Sequence, residues 1–155
     1  MQHHAPPQDT SDNGQDSPRD AHLLDALVTA AFIVMAAITR IGAEHDLSLS
    51  LMRVLGILWD RRLRMTDLAD YLGLEKQTMS GLIARAEKRG LVARAPSRED
   101  RRATDVHLTE SGALLVAELR RQGQTALRPV IAGLGPEDRR HLADLLQAMI
   151  AGRAG

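Results

Sequence analysis

The 155-residue chain has no cysteine, which excludes structural disulfides and any chemistry that needs a thiolate. Aromatic side chains are almost missing, with one Trp, one Tyr and one Phe. A core must therefore come from Leu, Ala, Ile, Val and Met. There is no net charge either: 20 cationic and 20 acidic side chains balance at neutral pH. Taken over the whole chain, that balance argues against a nucleic-acid partner. No apolar run approaches the ~18 residues of a membrane-crossing helix, and the N-terminus lacks a secretory h-region, so a cytoplasmic protein is expected. Catalytic motifs are lacking too. No Gly-rich phosphate loop follows a strand, and neither an H-E-x-x-H pair nor a nucleophile elbow is present. His22, His45, His107 and His141 are widely separated in the chain, although sequence leaves open that they meet in a dimer. The chain is expected not to be an enzyme, with no metal site and no required cofactor.

The length suits one domain with a real core, and charge is unevenly distributed along it. Between Lys76 and Arg102 eight Lys or Arg stand against three acids, whereas the first twenty residues hold four Asp and one Arg. Phosphates respond to local rather than global charge, so the objection to nucleic acid falls for residues 76–102.

That basic region lies within Met65–Gly112, the most informative stretch. Thr66 is placed to cap a first short helix, with Leu68, Ala69 and Leu72 at helical spacing and Gly73 as its stop. A second helix is predicted from about Glu75 to Arg89, closed by Gly90. Met79, Leu82, Ile83 and Ala86 form its buried stripe by i, i+3, i+4, i+7 spacing. Its other side carries Gln77, Gly81, Ala84 and Lys88, flanked by Thr78, Ser80 and Arg85. Short side chains near the start let such a helix approach base edges in a major groove about 12 Å wide. Lys88 and Arg89 lie nearer phosphates. Gly81 costs about 1 kcal/mol of helix propensity relative to alanine, a cost consistent with close approach of backbone to DNA.

After Gly90 the period changes to two. LVARAP and TDVHL alternate as strands around a polar loop, Ser97–Arg102, and read as a β-hairpin. Arg98, Arg101 and Arg102 concentrate positive charge at its tip, beside Glu99 and Asp100. A minor groove attracts arginine to such a tip. Helix, turn, helix and basic hairpin in this order form a winged helix-turn-helix.

The stretch resembles the DNA-binding core of the MarR family of bacterial transcription regulators. The resemblance rests on TDLADYLGLEKQTMSGLIARAEKRGLV, on R-x-PS-x-x-DRRA (Arg94–Ala103) and on V-x-LT-x-x-G (Val106–Gly112). It implies that Arg101 or Arg102 enters the minor groove and that Asp100 holds the arginine by ion pairing. It also implies a homodimer built from the first helix and the last two. Some members sense oxidants through thiols, which this chain lacks. Members commonly repress, and release DNA when a small anionic or phenolic effector binds between the dimer helices and the DNA-binding lobe.

The flanks fit that plan. Residues 1–19 are polar and expected to be a disordered tail, in which His3 and His4 have no fixed third ligand. From Ala21 to about His45, after Asp20 as cap, a wide apolar stripe (Leu23, Leu24, Leu27, Val28, Ala31, Phe32, Met35, Ile38, Ile41) predicts a dimerisation helix. A further helix starts at Ser48 or Ser50 and runs to Trp59. The connector Asp60–Arg64 carries three arginines, and Arg64 and Met65 are placed to add a short strand. Thr109 should cap a helix from about Glu110 to Leu127, and Gly135-Pro136 should open a last one to about Ala151. The expected fold is mainly α with a small β-hairpin wing (α+β). A helical dimerisation module, residues 20–47 and 109–152, flanks a DNA-binding domain, residues 48–108. The expected sites are Gln77, Thr78, Ser80, Gly81, Arg85 and Lys88 on the second helix and Arg98, Asp100, Arg101 and Arg102 on the wing. The expected function is sequence-specific regulation on a roughly palindromic duplex site. The alternatives are an architectural DNA-binding protein with little sequence preference and a protein-interaction module.

Overall fold

A computed structural model describes residues 18–152, so the expectation of a disordered tail, with His3 and His4, lies outside the described residues except at its end. There helix α1 already begins at Pro18 and continues to Glu44. Asp20 therefore sits in the first turn rather than at the cap, where its charge complements the helix dipole.

The described residues form two units, which divide between Ile33 and Val34. In the first, Leu23, Leu24, Leu27, Val28, Phe32 and Ile33 are all exposed, Phe32 to 72%. One expectation needs correction here: Asp20–Glu44 is long and apolar enough, by length and composition, to cross a membrane. Asp25, Thr29 and Thr39 interrupt any unbroken apolar run, yet the Ala, Leu and Ile between them keep the average high.

In the second unit, the end of α1 leads through an elbow to α2, Leu49–Ile57. Of the two candidate serines, Ser48 is the cap, its Oγ accepting the Leu51 N–H at 3.2 Å. A 3-10 turn at Leu58–Asp60 and a two-residue strand β1, Leu63–Arg64, follow. Helix α3, Met65–Leu72, starts directly from that strand with Arg64 at the cap position and no side-chain capping bond. Thr66 is thus inside the helix, not capping it. The reason is non-local. Strand β3, Thr104–Leu108, pairs with β1 through Leu63 opposite Val106 and Arg64 opposite Asp105. That pairing holds the chain extended through Arg64, and Met65, placed on the strand by its sequence, becomes the first helical residue.

Helix α3 ends at Gly73, whose φ of 63° an L side chain rarely adopts. Helix α4, Lys76–Lys88, ends likewise before Gly90 at φ 70°. Met79, Leu82, Ile83 and Ala86 are its buried residues, the stripe predicted from spacing alone. Strand β2, Val92–Pro96, pairs antiparallel with β3, giving the sheet order β1-β3-β2. Leu55, Leu58, Leu68, Met79, Ile83 and Val106 are all but inaccessible within one continuous core. Truncating such a residue to alanine typically costs about 2–5 kcal/mol.

Thr109 caps α5, Glu110–Leu127, by accepting the Gly112 N–H at 3.0 Å, while its hydroxyl donates to the Gly90 carbonyl. The latter bond ties the start of α5 to the end of α4. A Cβ on Gly112 would lie 1.9 Å from the Leu91 carbonyl oxygen, so only glycine lets α5 abut the backbone there. After a short 3-10 turn at Arg128–Ile131, α6 runs from Pro136 to Ala151 with Gly135 as cap. Its predicted stripe is present, but Leu142, Leu145, Leu146, Met149 and Ile150 are exposed, the last to 65%.

Candidate nucleic-acid interface

Burial of one stripe orients α4. With Met79, Leu82, Ile83 and Ala86 turned into the core, Gln77, Thr78, Ser80, Arg85 and Lys88 are left exposed and Gly81 half-exposed. The predicted face is therefore presented outward. A Cβ on Gly81 would meet nothing nearer than an Arg85 guanidinium nitrogen at 3.8 Å. Packing within the described chain thus gives no reason for the glycine.

The wing is shaped by its backbone. Ser97 N–H donates to the Ala103 carbonyl and Ala103 N–H to that of Asp100, each at 2.9 Å. Asp100 Oδ1 accepts the Arg102 N–H at 3.0 Å, a side chain-to-backbone turn of the kind Asp favours. The resemblance implies an ion pair from Asp100 to a wing arginine; among the described residues the carboxylate closes the turn instead. Arg98, Arg101 and Arg102 are exposed.

Wing and helix share a surface. Ser80 of α4, Arg94 of β2, Arg102 of the wing, and Arg64, Met65 and Thr66 at the start of α3 line one shallow concavity of about 260 Å³. Two of its arginines are held in place by acids from neighbouring elements. Arg64 Nη2 lies 2.7 Å from Glu99 Oε2, and Arg94 Nε lies 3.3 Å from Glu87 Oε2. Among the described residues, Arg85, Lys88, Arg98, Arg101 and Arg102 are in no ion pair. Unpaired, exposed cations beside a small-faced helix can neutralise phosphates without first breaking internal bonds.

Arg94 and Arg64 lie on this surface although the sequence pattern does not single them out. Arg94 belongs to the R-x-PS motif, and its place opposite Val106 in the ladder is what brings it to this face. Arg64 is visible in the sequence only as part of a basic connector. Conversely, the expectation that Arg89 faces phosphates needs correction: its guanidinium donates to the carbonyls of Asp46 at 2.7 Å and His45 at 2.9 Å.

Away from this face, Met35 and Ile38 of α1, Leu49, Met52, Arg53 and Gly56 of α2, and Val116, Leu119 and Arg120 of α5 line an open apolar groove of about 470 Å³. Arg53 and Arg120 are its only charged lining residues. The Arg120 guanidinium lies 5.2 Å from the Trp59 ring centroid, within cation–π range. Nearby, the Arg61 hydrogen bond holds the Asp60 carboxyl below its ordinary pKa. Among the described residues no three His, Asp or Glu side chains are placed to share a metal ion.

The MarR family model matches residues 45–103 of the chain, which span the elbow after α1, the helix-turn-helix and the wing. The HTH-type transcriptional regulator PetP of Rhodobacter capsulatus is 30% identical over 72% of this chain and 68% of its own length. The HTH-type regulator YfiV of Bacillus subtilis is 35% identical over 61% of the chain, but the match spans only 59% of YfiV. Among solved structures, that of NadR in complex with 4-hydroxyphenylacetate superposes with a TM-score of 0.65 at 23% identity. That superposition covers 94% of this chain and 97% of NadR; at such identity it speaks for the fold.

Proposed function

Since the chain belongs to the MarR family of winged helix-turn-helix regulators, we propose that it is a sequence-specific, double-stranded DNA-binding transcription regulator. It acts as a homodimeric repressor on a pseudo-palindromic operator. The observation that carries this reading is the common concavity of Ser80, Arg94 and Arg102, which lets one duplex meet helix and wing together. Gln77, Thr78 and Ser80 then face base edges, and Gly81 permits close approach of α4. Arg85, Lys88 and Arg98 meet phosphates, and Arg101 or Arg102 enters the minor groove at each flank. Asp100 fixes the turn from which they project.

Residues 48–108 form the DNA-binding domain in this reading, and residues 20–47 and 109–152 the dimerisation module. Two copies of α4 would enter successive major grooves about one helical turn apart, hence the near-palindrome. The exposed apolar residues of α1 and α6 are surface that a second copy would cover. Covering α1 in this way would leave the protein soluble in the cytoplasm, where its DNA is.

The apolar groove with Arg53 and Arg120 suits a small anionic or phenolic effector, an aromatic body with one anionic or hydroxyl end. NadR was solved with 4-hydroxyphenylacetate, a ligand of that chemistry. By linkage, such an effector lowers DNA affinity only by binding the DNA-incompetent dimer better, and a tenfold loss needs about 1.4 kcal/mol of difference.

Site selection from random DNA, followed by competition with random duplex, tests the core of this reading. A preference of at least ~10³ is the expected outcome for a specific regulator, whereas equal binding of both duplexes would favour the architectural alternative. Replacing Arg101 and Arg102 together by alanine should weaken binding and lower the salt slope by about one for each phosphate no longer neutralised. An unchanged slope and affinity would take the wing out of the mechanism.

A further inference from the structure

We propose that Arg89 is a positioning residue for α4, tying the DNA-facing helix to the α1–α2 elbow and, through that elbow, to α5. The inference rests on the reading of α4 as the helix that contacts bases. Arg89 is the residue at which α4 ends, so it holds that helix at one extremity. Its two guanidinium nitrogens Nη1 and Nη2 donate to successive carbonyls, Asp46 at 2.7 Å and His45 at 2.9 Å. Both carbonyls belong to the elbow after α1, a turn closed by Leu47 N–H donating to the Gly42 carbonyl at 2.8 Å. Asp46 there has φ 54°, a left-handed conformation that few non-glycine residues take. Charge-assisted bonds to carbonyls are stronger than neutral ones, and the elbow carbonyls present themselves as a matched pair.

The tie continues beyond the elbow. His45 Nε2 is 3.1 Å from Gln122 Oε1 on α5. The Gln122 amide donates to Glu118 Oε1 at 2.8 Å, and Arg121 holds the same carboxylate at 2.6 and 2.8 Å. One polar chain therefore runs from the end of α4 through the elbow to the middle of α5. The tilt of α4 is set at this point by groups outside the helix-turn-helix and the wing. Lysine cannot reproduce the arrangement, because one ammonium lacks the planar fork that reaches two carbonyls at once.

A positioning role and a phosphate-binding role make opposite predictions, measured on the full chain with two duplexes of equal length. One is a site recovered by selection from random DNA with the unaltered protein; the other has random sequence. Arg89→Ala should lower affinity for the selected site about tenfold or more, a change of about 1.4 kcal/mol. Random-sequence binding and the salt slope should stay as they were. Arg89→Lys should recover only part of the loss. Gln122→Ala, far along the chain from α4, should weaken the selected site in the same direction, and its effect should be less than additive with that of Arg89→Ala. If Arg89→Ala prevents folding, the Arg89→Lys and Gln122→Ala variants carry the same contrast. The tie is overturned if Arg89→Ala weakens both duplexes alike and lowers the salt slope by about 0.9, the value for one phosphate left without its cation. Full restoration of binding by Lys, with Gln122→Ala silent, overturns it too, as does unchanged binding by Arg89→Ala. Failure of the unaltered protein to select any sequence removes the reading of α4 itself, a result separate from any of these.

Discussion

Residues 48–108 and the two terminal helices solve the burial problem in opposite ways. In the former, α2, α3, α4 and the sheet close around Val54, Leu55, Leu58, Leu68, Met79, Ile83 and Val106, and these side chains retain at most 2% exposure. From Asp20 to Ile33 in α1, and in α6, no large apolar side chain among the described residues is buried. Side chains of the same chemical kind are satisfied in one region and left in water in the other. Each fully buried Leu or Val is worth about 1.5–3 kcal/mol relative to exposure. Extended apolar faces on helices of this length are therefore surface that the folded chain itself leaves uncovered, whereas the central lobe buries its own apolar side chains, completed by Ile41 of α1, Leu47 of the elbow and Val116 and Leu119 of α5.

The sharpest way to break that contrast is to place charge on the exposed face of α1. Phe32→Glu together with Val28→Glu should abolish self-association in sedimentation and lower affinity for a palindromic site by about 10²-fold or more, the scale of lost bivalency. The near-native sheet and helix signal of residues 48–108 should persist. Loss of the whole fold, with no monomer detected, would show that the lobe cannot fold without the apolar face of α1 being covered. Partition of the unaltered protein into lipid vesicles, rather than into dimers, would give α1 a different cover.

A smaller effect is expected where the lobe meets α5. Gly112→Ala forces a Cβ onto the Leu91 carbonyl and should cost about 1–3 kcal/mol, as overpacking typically does. It would be read as a shifted denaturant midpoint. An unshifted midpoint would mean that α5 can slide off the lobe without loss. Gly81→Ala lies at the other extreme, where a Cβ would make only an ordinary contact with the Arg85 guanidinium at 3.8 Å. It should stabilise the protein by about 1 kcal/mol through helix propensity while lowering DNA affinity. If affinity is kept, close approach of α4 to DNA is not the reason for the glycine.

The smallest effect concerns pH. Hydrogen bonds from Arg121 and Gln122 lower the Glu118 pKa in the folded chain. Their contribution is therefore full above the ordinary glutamate value and is lost as pH falls through the lowered one. Glu118→Gln should flatten the acid limb of the stability profile slightly. The group is exposed, so the change should be near the limit of measurement.

Much of the proposed interface is legible in the sequence because it depends on local periodicity. The exposed side of α4 follows from the four apolar residues opposite it, and Gly73 and Gly90 end their helices by backbone conformation alone. The wing arginines stand out as a charge cluster between two alternating runs. The positions that escape such reading depend on partners far away in sequence. Arg64 reaches Glu99 across 35 residues, and Arg89 reaches the elbow across more than 40. Thr66 yields its capping role to a strand pairing with residues 105 and 106.

By itself, then, the amino-acid order determined the succession of elements, the inward stripe of α4, the Thr109 cap and the Gly135-Pro136 start of α6. These are set by forces acting within a few residues: helical spacing, capping bonds and the permitted φ of glycine and proline. Tertiary structure alone decided that Gly112 must lack a side chain, that Arg94 and Arg102 share a surface with Ser80, and that Arg89 faces carbonyls. Such outcomes need two distant backbones at a fixed separation, and no local rule carries that distance.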